Sequence, residues 1–238
     1  MDKILIIIPA YNEEDSIAEV ISEIRHTLIQ VDILVIDDGS SDATAKLAEK
    51  EADFCIRLQY HFGLGVALQT GYFFAKANSY DFVVHFDADG QHIAGEIEKI
   101  LKPVKNGECD IAIGSRFADK NNVEYAMSSS RRIATGLIAK SFRLLVRKQI
   151  KDPTSGFRAM NKKVFLLFCE YYPSDYPEVE ELLLLANNNL NIKEVPIKMR
   201  LRLKGKSSLT FQKSLFYMFK VFLVISLDSL WLIKSRKK

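Results

Sequence analysis

Two aspartates, Asp87 and Asp89, follow directly on an apolar run at residues 82–86. Carboxylate oxygens are ligands that Mg²⁺ and Mn²⁺ prefer in proteins, and the backbone carbonyl of Gln91 is a third candidate ligand. A cation held by so few protein groups keeps coordination positions for the oxygens of a diphosphate. These residues predict a metal site, although such a pair of aspartates taken alone is more often part of an exposed turn.

Two further polar clusters also follow apolar runs. Pro9, Tyr11 and Glu13 come after the first run of the chain, and Asp37 and Asp38 come after the second. Open α/β sheets bind their ligands beyond the carboxyl ends of their strands, so these clusters are candidates for a ligand site. An alternative for Asp38 is to cap the helix that follows it.

The elements that must position these residues alternate along the first half of the chain. Short apolar runs predict strands at residues 4–8, 33–36, 54–58, 82–86, 110–113 and 192–197. Helical spacing of apolar residues predicts helices at residues 14–28, 43–51, 69–77, 97–104, 131–150 and 179–186. Residues 152–158 are rich in turn formers and predict a loop. This alternation is typical of a Rossmann-like α/β fold, with a mainly parallel sheet and helices on both faces.

Length and composition are those of a folded protein with one main domain. Its 238 residues are 48% hydrophobic and 26% charged, which favours neither a disordered chain nor a polytopic membrane protein. A net charge of +3 is too small to indicate nucleic-acid binding. The three cysteines form no CxxC pair, which favours a reducing cytosol.

The end of the chain differs from the rest in composition. We predict a catalytic domain at residues 1–210 and a basic, apolar C-terminal helix at residues 211–238, associated with a membrane or with a partner. Residues 215–233 are long enough to span a bilayer, but Lys220 and Asp228 interrupt them. An in-plane helix, a membrane span and packing on the protein's own core all stay open.

In order and spacing, the three strand-end clusters resemble glycosyltransferase family 2, an inverting family with the GT-A fold. The resemblance implies an enzyme that uses Mg²⁺ or Mn²⁺, with Asp87, Asp89 and Gln91 at the metal and Asp89 as a catalytic residue. It also implies that six residues bind the nucleotide-sugar donor, namely Pro9, Tyr11, Glu13, Asp38, Gly65 and Asp87.

The second half of the chain resembles the polyprenyl-phosphate sugar transferases, the dolichyl-phosphate mannose synthase group and its bacterial undecaprenyl-phosphate relatives. The resemblance is carried by Gly114-Ser115-Arg116, by Arg131, by the loop at residues 152–158 and by Arg202. It implies that Arg116, Arg131 and Arg202 are catalytic and hold the acceptor phosphate, with Thr135 as a further hydroxyl donor. Guanidinium groups suit this role because they pair with phosphate in a bidentate manner.

The implied reaction is the inverting transfer of one sugar from a UDP- or GDP-sugar to a polyprenyl phosphate. A phosphate monoester is already anionic, so it needs no general base. The implied place is the cytoplasmic face of the cell membrane, with a small membrane protein as a further partner. The alternative is transfer to a hydroxyl of a lipid-linked or polysaccharide acceptor. Residues 117–122 lack the glycine and aromatic pattern of the mannose enzymes, so the sugar stays open.

Overall fold

The structure of the protein is a computed structural model that describes residues 2–28, 30–117, 150–173 and 177–200. The strands are β1 (Ile4–Ala10), β2 (Asp32–Asp37), β3 (Phe54–Arg57), β4 (Phe82–His85), β5 (Ile111–Ser115), β6 (Arg158–Asn161) and β7 (Ile192–Pro196). The helices are α1 (Ile17–Thr27), α2 (Thr44–Glu51), α3 (Leu64–Ala77), α4 (Ile97–Lys105), α5 (Lys162–Glu170) and α6 (Pro177–Asn187). Within the described ranges, the strands form one sheet in the order β3-β2-β1-β4-β6-β5-β7.

Strand β1 lies inside the sheet and is buried on both faces. Leu5 and Ile7 belong to one apolar cluster, and Ile6 and Ile8 belong to the other. A strand covered on both faces carries apolar residues at successive positions, which explains the unbroken run at the start of the chain. Its two neighbours, β2 and β4, both pair with it in parallel.

Helices cover both faces of the sheet, as the sequence predicts. Helices α3, α5 and α6 contribute to the cluster that contains Leu5, whereas α1, α2 and α4 contribute to the cluster that contains Ile6. Burial of these apolar faces is the main favourable term for folding. The two clusters hold the strands in place from opposite sides, and the strand ends carry the polar residues singled out above.

Strand β6 and helix α5 are missing from the sequence-based prediction. Strand β6 pairs in an antiparallel manner with both β4 and β5, so the sheet is mixed rather than wholly parallel. Its four residues begin with Arg158 and therefore lack the apolar run that marks the other strands. Helix α3 also begins earlier than predicted, at Leu64, directly after Gly63 with its positive φ of 99°.

Several predicted features lie outside the described residues. These are almost the whole of the predicted helix at residues 131–150, the C-terminal segment at residues 211–238, and Arg131, Thr135 and Arg202. In the part of the chain that is described, every helix is too short or too polar to cross a membrane. The three cysteines are described, and all three are unpaired thiols.

His85, at the end of β4, belongs to a polar group inside the core. It is opposite Arg158 in the pairing of β4 with β6, and its Nε2 lies 2.6 Å from the hydroxyl oxygen of Tyr72. Burial, with a smaller contribution from the positive charge of Arg158, lowers the pKa of His85 to about 3. The ring is therefore neutral in the folded protein at neutral pH.

This neutral histidine makes stability depend on pH. The unfolded chain binds a proton at His85 below a pKa of about 6.5, whereas the folded protein does not, so stability is lost as the pH falls below that value. His85→Gln keeps a polar partner for Tyr72 but cannot titrate. Measured by urea unfolding between pH 6 and pH 5, the slope of the free energy of unfolding against pH should be smaller by about 1.2 kcal/mol per pH unit in the variant. Equal slopes would contradict a neutral His85.

Candidate active site at the carboxyl edge of the sheet

The three strand-end clusters meet at one edge of the sheet. Strands β2, β1 and β4 are neighbours and run parallel, so the residues that follow them emerge on the same side. Asp38 follows β2, Tyr11 follows β1, and Asp87 comes two residues after the end of β4. The sheet order thus brings together residues that are far apart in the sequence.

The loops that follow β1 and β2 bind each other through backbone-to-side-chain hydrogen bonds. The amide of Asn12 donates to Ser40 Oγ at 2.9 Å, and the amide of Ser41 donates to Asn12 Oδ1 at 2.9 Å. The amide of Glu13 donates to Thr44 Oγ1, also at 2.9 Å. Asn12 has a positive φ of 54°, a conformation that asparagine tolerates better than most residues. These bonds fix the backbone at Asn12 and Glu13, and they thereby position Tyr11 and Glu13 at the edge of the sheet.

Asp38 holds the loop that leads into α3. Its buried carboxylate accepts hydrogen bonds of 2.8 Å from the amides of Phe62 and Gly63, and it lies 2.8 Å from Nδ1 of His61. The His61 ring stacks on the Tyr11 ring, with 3.8 Å between centroids. Asp38 and Tyr11, predicted from different strands, are therefore joined through His61.

The alternative role for Asp38, as the cap of the following helix, is wrong. The carboxylate of Asp42 accepts the hydrogen bond from the amide of Thr44 at the start of α2, at 3.0 Å. Gly65 is buried in the first turn of α3, and Pro9 lies within β1. The parts that these residues take in donor binding stay predictions.

Asp87 and Asp89 flank a buried alanine. Ala88 is 4% exposed, whereas both aspartates are partly exposed. The amide of Gln91 donates to Asp89 Oδ1 at 3.0 Å, and the carbonyl of Gln91 accepts from the amide of Arg200 at 2.9 Å. A carbonyl oxygen has two lone pairs, so this bond leaves capacity for a ligand. Among the described residues, no three His, Cys, Asp or Glu side chains are grouped to hold a metal ion.

His92 contacts Asp87 and was not singled out from the sequence. The Asp87 amide donates to Nδ1 of His92 at 3.0 Å, and Nε2 of His92 lies 3.4 Å from Asp87 Oδ2. Burial is the largest effect on the pKa of His92 and lowers it to about 4. The negative charge of Asp89 raises this pKa in part, and the positive charge of Arg116 lowers it. A histidine directly after an acidic strand-end cluster is the signal that could have indicated it.

Arg116 forms a nearly buried ion pair with Asp152. Its Nε donates to Oδ2 and its Nη2 to Oδ1, both at 2.7 Å, and Nη2 also lies 3.1 Å from Thr154 Oγ1. Glu194 in turn accepts hydrogen bonds of 2.8 Å from the amides of Lys151 and Asp152. Two guanidinium nitrogens of Arg116 are thus bound within the protein, and its predicted contact with an acceptor phosphate stays a prediction.

The loop before β6 is held from within the core. Arg158 is 1% exposed and donates from Nε to the carbonyl of Ser155 at 2.8 Å and from Nη2 to the carbonyl of Pro153 at 3.1 Å. Its Nη1 pairs with the carboxylate of Glu181, to which Tyr172 also donates. Glu181 was missed from the sequence because a charged helical residue is normally expected at the surface.

The profile of the family described as glycosyl transferase family 2 matches residues 5–167, more than half of the chain. The chain belongs to glycosyl transferase family 2. It is a glycosyltransferase enzyme, which confirms the resemblance seen in the strand-end clusters. The match covers the edge formed by β2, β1 and β4, together with Arg116 and the loop at residues 152–157.

Individual relatives of this transferase cover most of the chain. It is 32% identical over 227 residues to the polyprenol monophosphomannose synthase of Mycolicibacterium smegmatis, covering 91% of this chain and 84% of that protein. It is 33% identical over 220 residues to the UDP-N-acetylglucosamine–dolichyl-phosphate N-acetylglucosaminyltransferase of Methanococcus voltae. This alignment covers 83% of this chain and 86% of that protein.

A solved structure confirms the GT-A fold. Glucosyl-3-phosphoglycerate synthase of Mycobacterium tuberculosis, in complex with Mn²⁺, UDP and glucosyl-3-phosphoglycerate, superposes on the transferase with a TM-score of 0.70. The alignment covers 96% of this chain and 80% of that one, at 20% sequence identity. The similarity at this level of identity concerns the arrangement of the elements.

Replacing Asp152 tests the buried ion pair of the transferase. Asp152→Asn removes the carboxylate charge that pairs with the Arg116 guanidinium, 8% exposed, and should lower the free energy of unfolding by about 3 kcal/mol. The matched control is Asp2→Asn, which breaks an exposed pair with Lys105 and should cost less than about 1 kcal/mol. Urea denaturation measures the free energy of unfolding of both variants. Equal losses would contradict a larger contribution of the buried pair to stability.

Proposed function

We propose that the protein transfers one sugar, with inversion, from a UDP- or GDP-sugar to a polyprenyl phosphate such as undecaprenyl or dolichyl phosphate. The observation that carries this proposal is the nature of the acceptors of its relatives. Two enzymes aligned over more than four fifths of this chain are named for transfer to a polyprenol or dolichyl phosphate. The sugars in their names differ, and the sugar used by this protein is left to experiment.

We place the donor at the edge formed by β2, β1 and β4. The proposed donor-binding residues are Pro9, Tyr11, Glu13, Asp38, Gly65 and Asp87. Supporting this, the loops after β1 and β2 are bound together at Asn12, and Asp38 is joined to Tyr11 through His61. Such a rigid edge orients a nucleotide without a large loss of conformational entropy on binding.

We place a divalent cation at Asp87, Asp89 and the carbonyl of Gln91. The donor set fits Mg²⁺ or Mn²⁺, because it consists of hard oxygen atoms on partly exposed residues. When bound, the cation would neutralise charge that develops on the departing nucleoside diphosphate. The protein's own contribution includes holding the Asp89 carboxylate in place, through the hydrogen bond from the Gln91 amide, which follows the turn at Gly90.

An acceptor that is already charged simplifies what the protein must do. A phosphate monoester attacks as an anion, so positioning and charge stabilisation suffice and no proton needs to be removed. Arg116, Arg131, Thr135 and Arg202 are the proposed acceptor-phosphate residues. A lipid acceptor further implies that the enzyme acts at the cytoplasmic face of the cell membrane. In this proposal, residues 211–238 bind the lipid surface or a small membrane protein.

The nature of the acceptor is tested with matched lipids. Radiolabelled UDP- and GDP-sugars are incubated with the protein, Mn²⁺ or Mg²⁺, and one of three acceptors: a short polyprenyl phosphate, the corresponding polyprenol or a lipid-linked oligosaccharide. Label should enter the organic phase only with the phosphate, as an acid-labile lipid monophosphate sugar with inverted anomeric configuration. Transfer to a lipid-linked oligosaccharide and not to polyprenyl phosphate would instead support a hydroxyl acceptor.

Replacing Asp89 tests the metal site. Asp89→Asn removes one charged ligand and should lower kcat at least about 100-fold, equivalent to about 2.7 kcal/mol of transition-state stabilisation. The matched control is Asp81→Asn, the same change before the amino end of β4, which should leave kcat unchanged. Thermal denaturation checks that both variants fold. A fully active Asp89→Asn variant would exclude the metal assignment.

A further inference from the structure

We propose that His92 is a positioning residue that holds Asp87 in the orientation needed to bind the divalent cation. The proposal rests on the metal-dependent function proposed above and extends it to a buried side chain that is not one of the proposed metal ligands. It assigns separate tasks to the two ring nitrogens: Nδ1 holds the backbone at Asp87, and Nε2 holds its carboxylate.

The hydrogen bonds determine which nitrogen carries the proton. The amide of Asp87 donates to Nδ1 at 3.0 Å, so Nδ1 is an acceptor and has no proton. In the neutral ring the proton is then on Nε2, which faces Asp87 Oδ2 at 3.4 Å. One ring thus contacts the backbone and the side chain of the same aspartate, and this double contact limits the orientations that the carboxylate can adopt.

Packing fixes the imidazole ring itself. It is buried, stacks on Phe157 with 4.6 Å between centroids and 19° between planes, and meets Phe86 edge to face at 5.3 Å. The backbone of His92 forms an antiparallel bridge with Met199. Contacts at the face and the edge of the ring and at the backbone of His92 keep the ring in one position. The ring can therefore hold Asp87 in one orientation.

Gly156 confines Asp87 as well. A Cβ atom at this glycine would lie 3.2 Å from Asp87 Oδ1, tighter than ordinary contact, so the glycine lets the loop approach the carboxylate closely. The approaching loop also supplies Phe157, on which His92 stacks. Asp87 is therefore confined by the His92 ring and by the backbone of Gly156.

Groups that orient a metal ligand without touching the metal commonly change metal affinity by 10- to 100-fold. His92→Phe keeps an aromatic ring against Phe157 and removes both nitrogens, so Mn²⁺ should bind about 10- to 100-fold more weakly. Binding of UDP or GDP without metal should change less than about twofold, because the His92 ring is 1% exposed and offers almost no surface to a nucleotide. His92→Gln restores an amide donor near the position of Nε2 and should recover part of the lost affinity.

The measurement is a titration of Mn²⁺ with saturating UDP, and in parallel GDP, in which electron paramagnetic resonance reports unbound Mn²⁺. Phe157→Leu is the packing control: it weakens the stack but keeps both nitrogens of His92, and should alter Mn²⁺ affinity less than His92→Phe does. Urea unfolding of each variant establishes that it is folded.

Three outcomes separate the two proposals. Wild-type affinity in folded His92→Phe, or no recovery in folded His92→Gln, overturns the role of His92 and leaves the metal site intact if Asp89→Asn still loses Mn²⁺. Wild-type protein that binds no Mn²⁺ with either nucleotide overturns both. We expect weak Mn²⁺ binding in His92→Phe and partial recovery in His92→Gln. The affinity for the nucleotide without metal should stay unchanged in both variants.

Discussion

The buried guanidinium of Arg158 is the interaction on which the geometry of the site depends most. A charge inside a protein is tolerated only when it is paired and its hydrogen-bonding groups are satisfied. Arg158 meets this requirement with the carboxylate of Glu181 and with two carbonyls of the preceding loop, those of Pro153 and Ser155. The loop must therefore fold over the start of β6, because moving it away would take these two carbonyl acceptors from guanidinium N–H groups that lie in the core.

That loop connects the arginine side of the site to the carboxylate side. At its start, Asp152 binds Arg116; at its end, Gly156 lies against Asp87 and Phe157 stacks on His92. The same short segment thus sets the position of a proposed phosphate-binding residue and of a proposed metal ligand. Transfer between two substrates requires both to be held in one geometry, and a shared rigid segment is a direct way to achieve this.

The donor side depends on a different constraint, the parallel pairing of β2, β1 and β4. Apolar residues on both faces of β1 bury it under two helical layers, and it pairs in parallel with β2 on one side and β4 on the other. The loops after β1 and β2 then lie side by side and bind each other. Glycosyl transferase family 2 membership agrees with this arrangement, because the matched region contains the whole edge.

The sequence by itself determined the layered α/β architecture and the edge of the sheet where Tyr11, Asp38 and Asp87 meet. Those inferences succeed because continuous apolar runs mark buried parallel strands, and parallel strands deliver their following residues to one edge. The tertiary structure alone decided the antiparallel insertion of β6, the pairing of Arg158 with Glu181, and the contact of His92 with Asp87. A charged residue or a histidine has no periodicity that indicates burial, and its partner is identified only when the packed chain brings the two together.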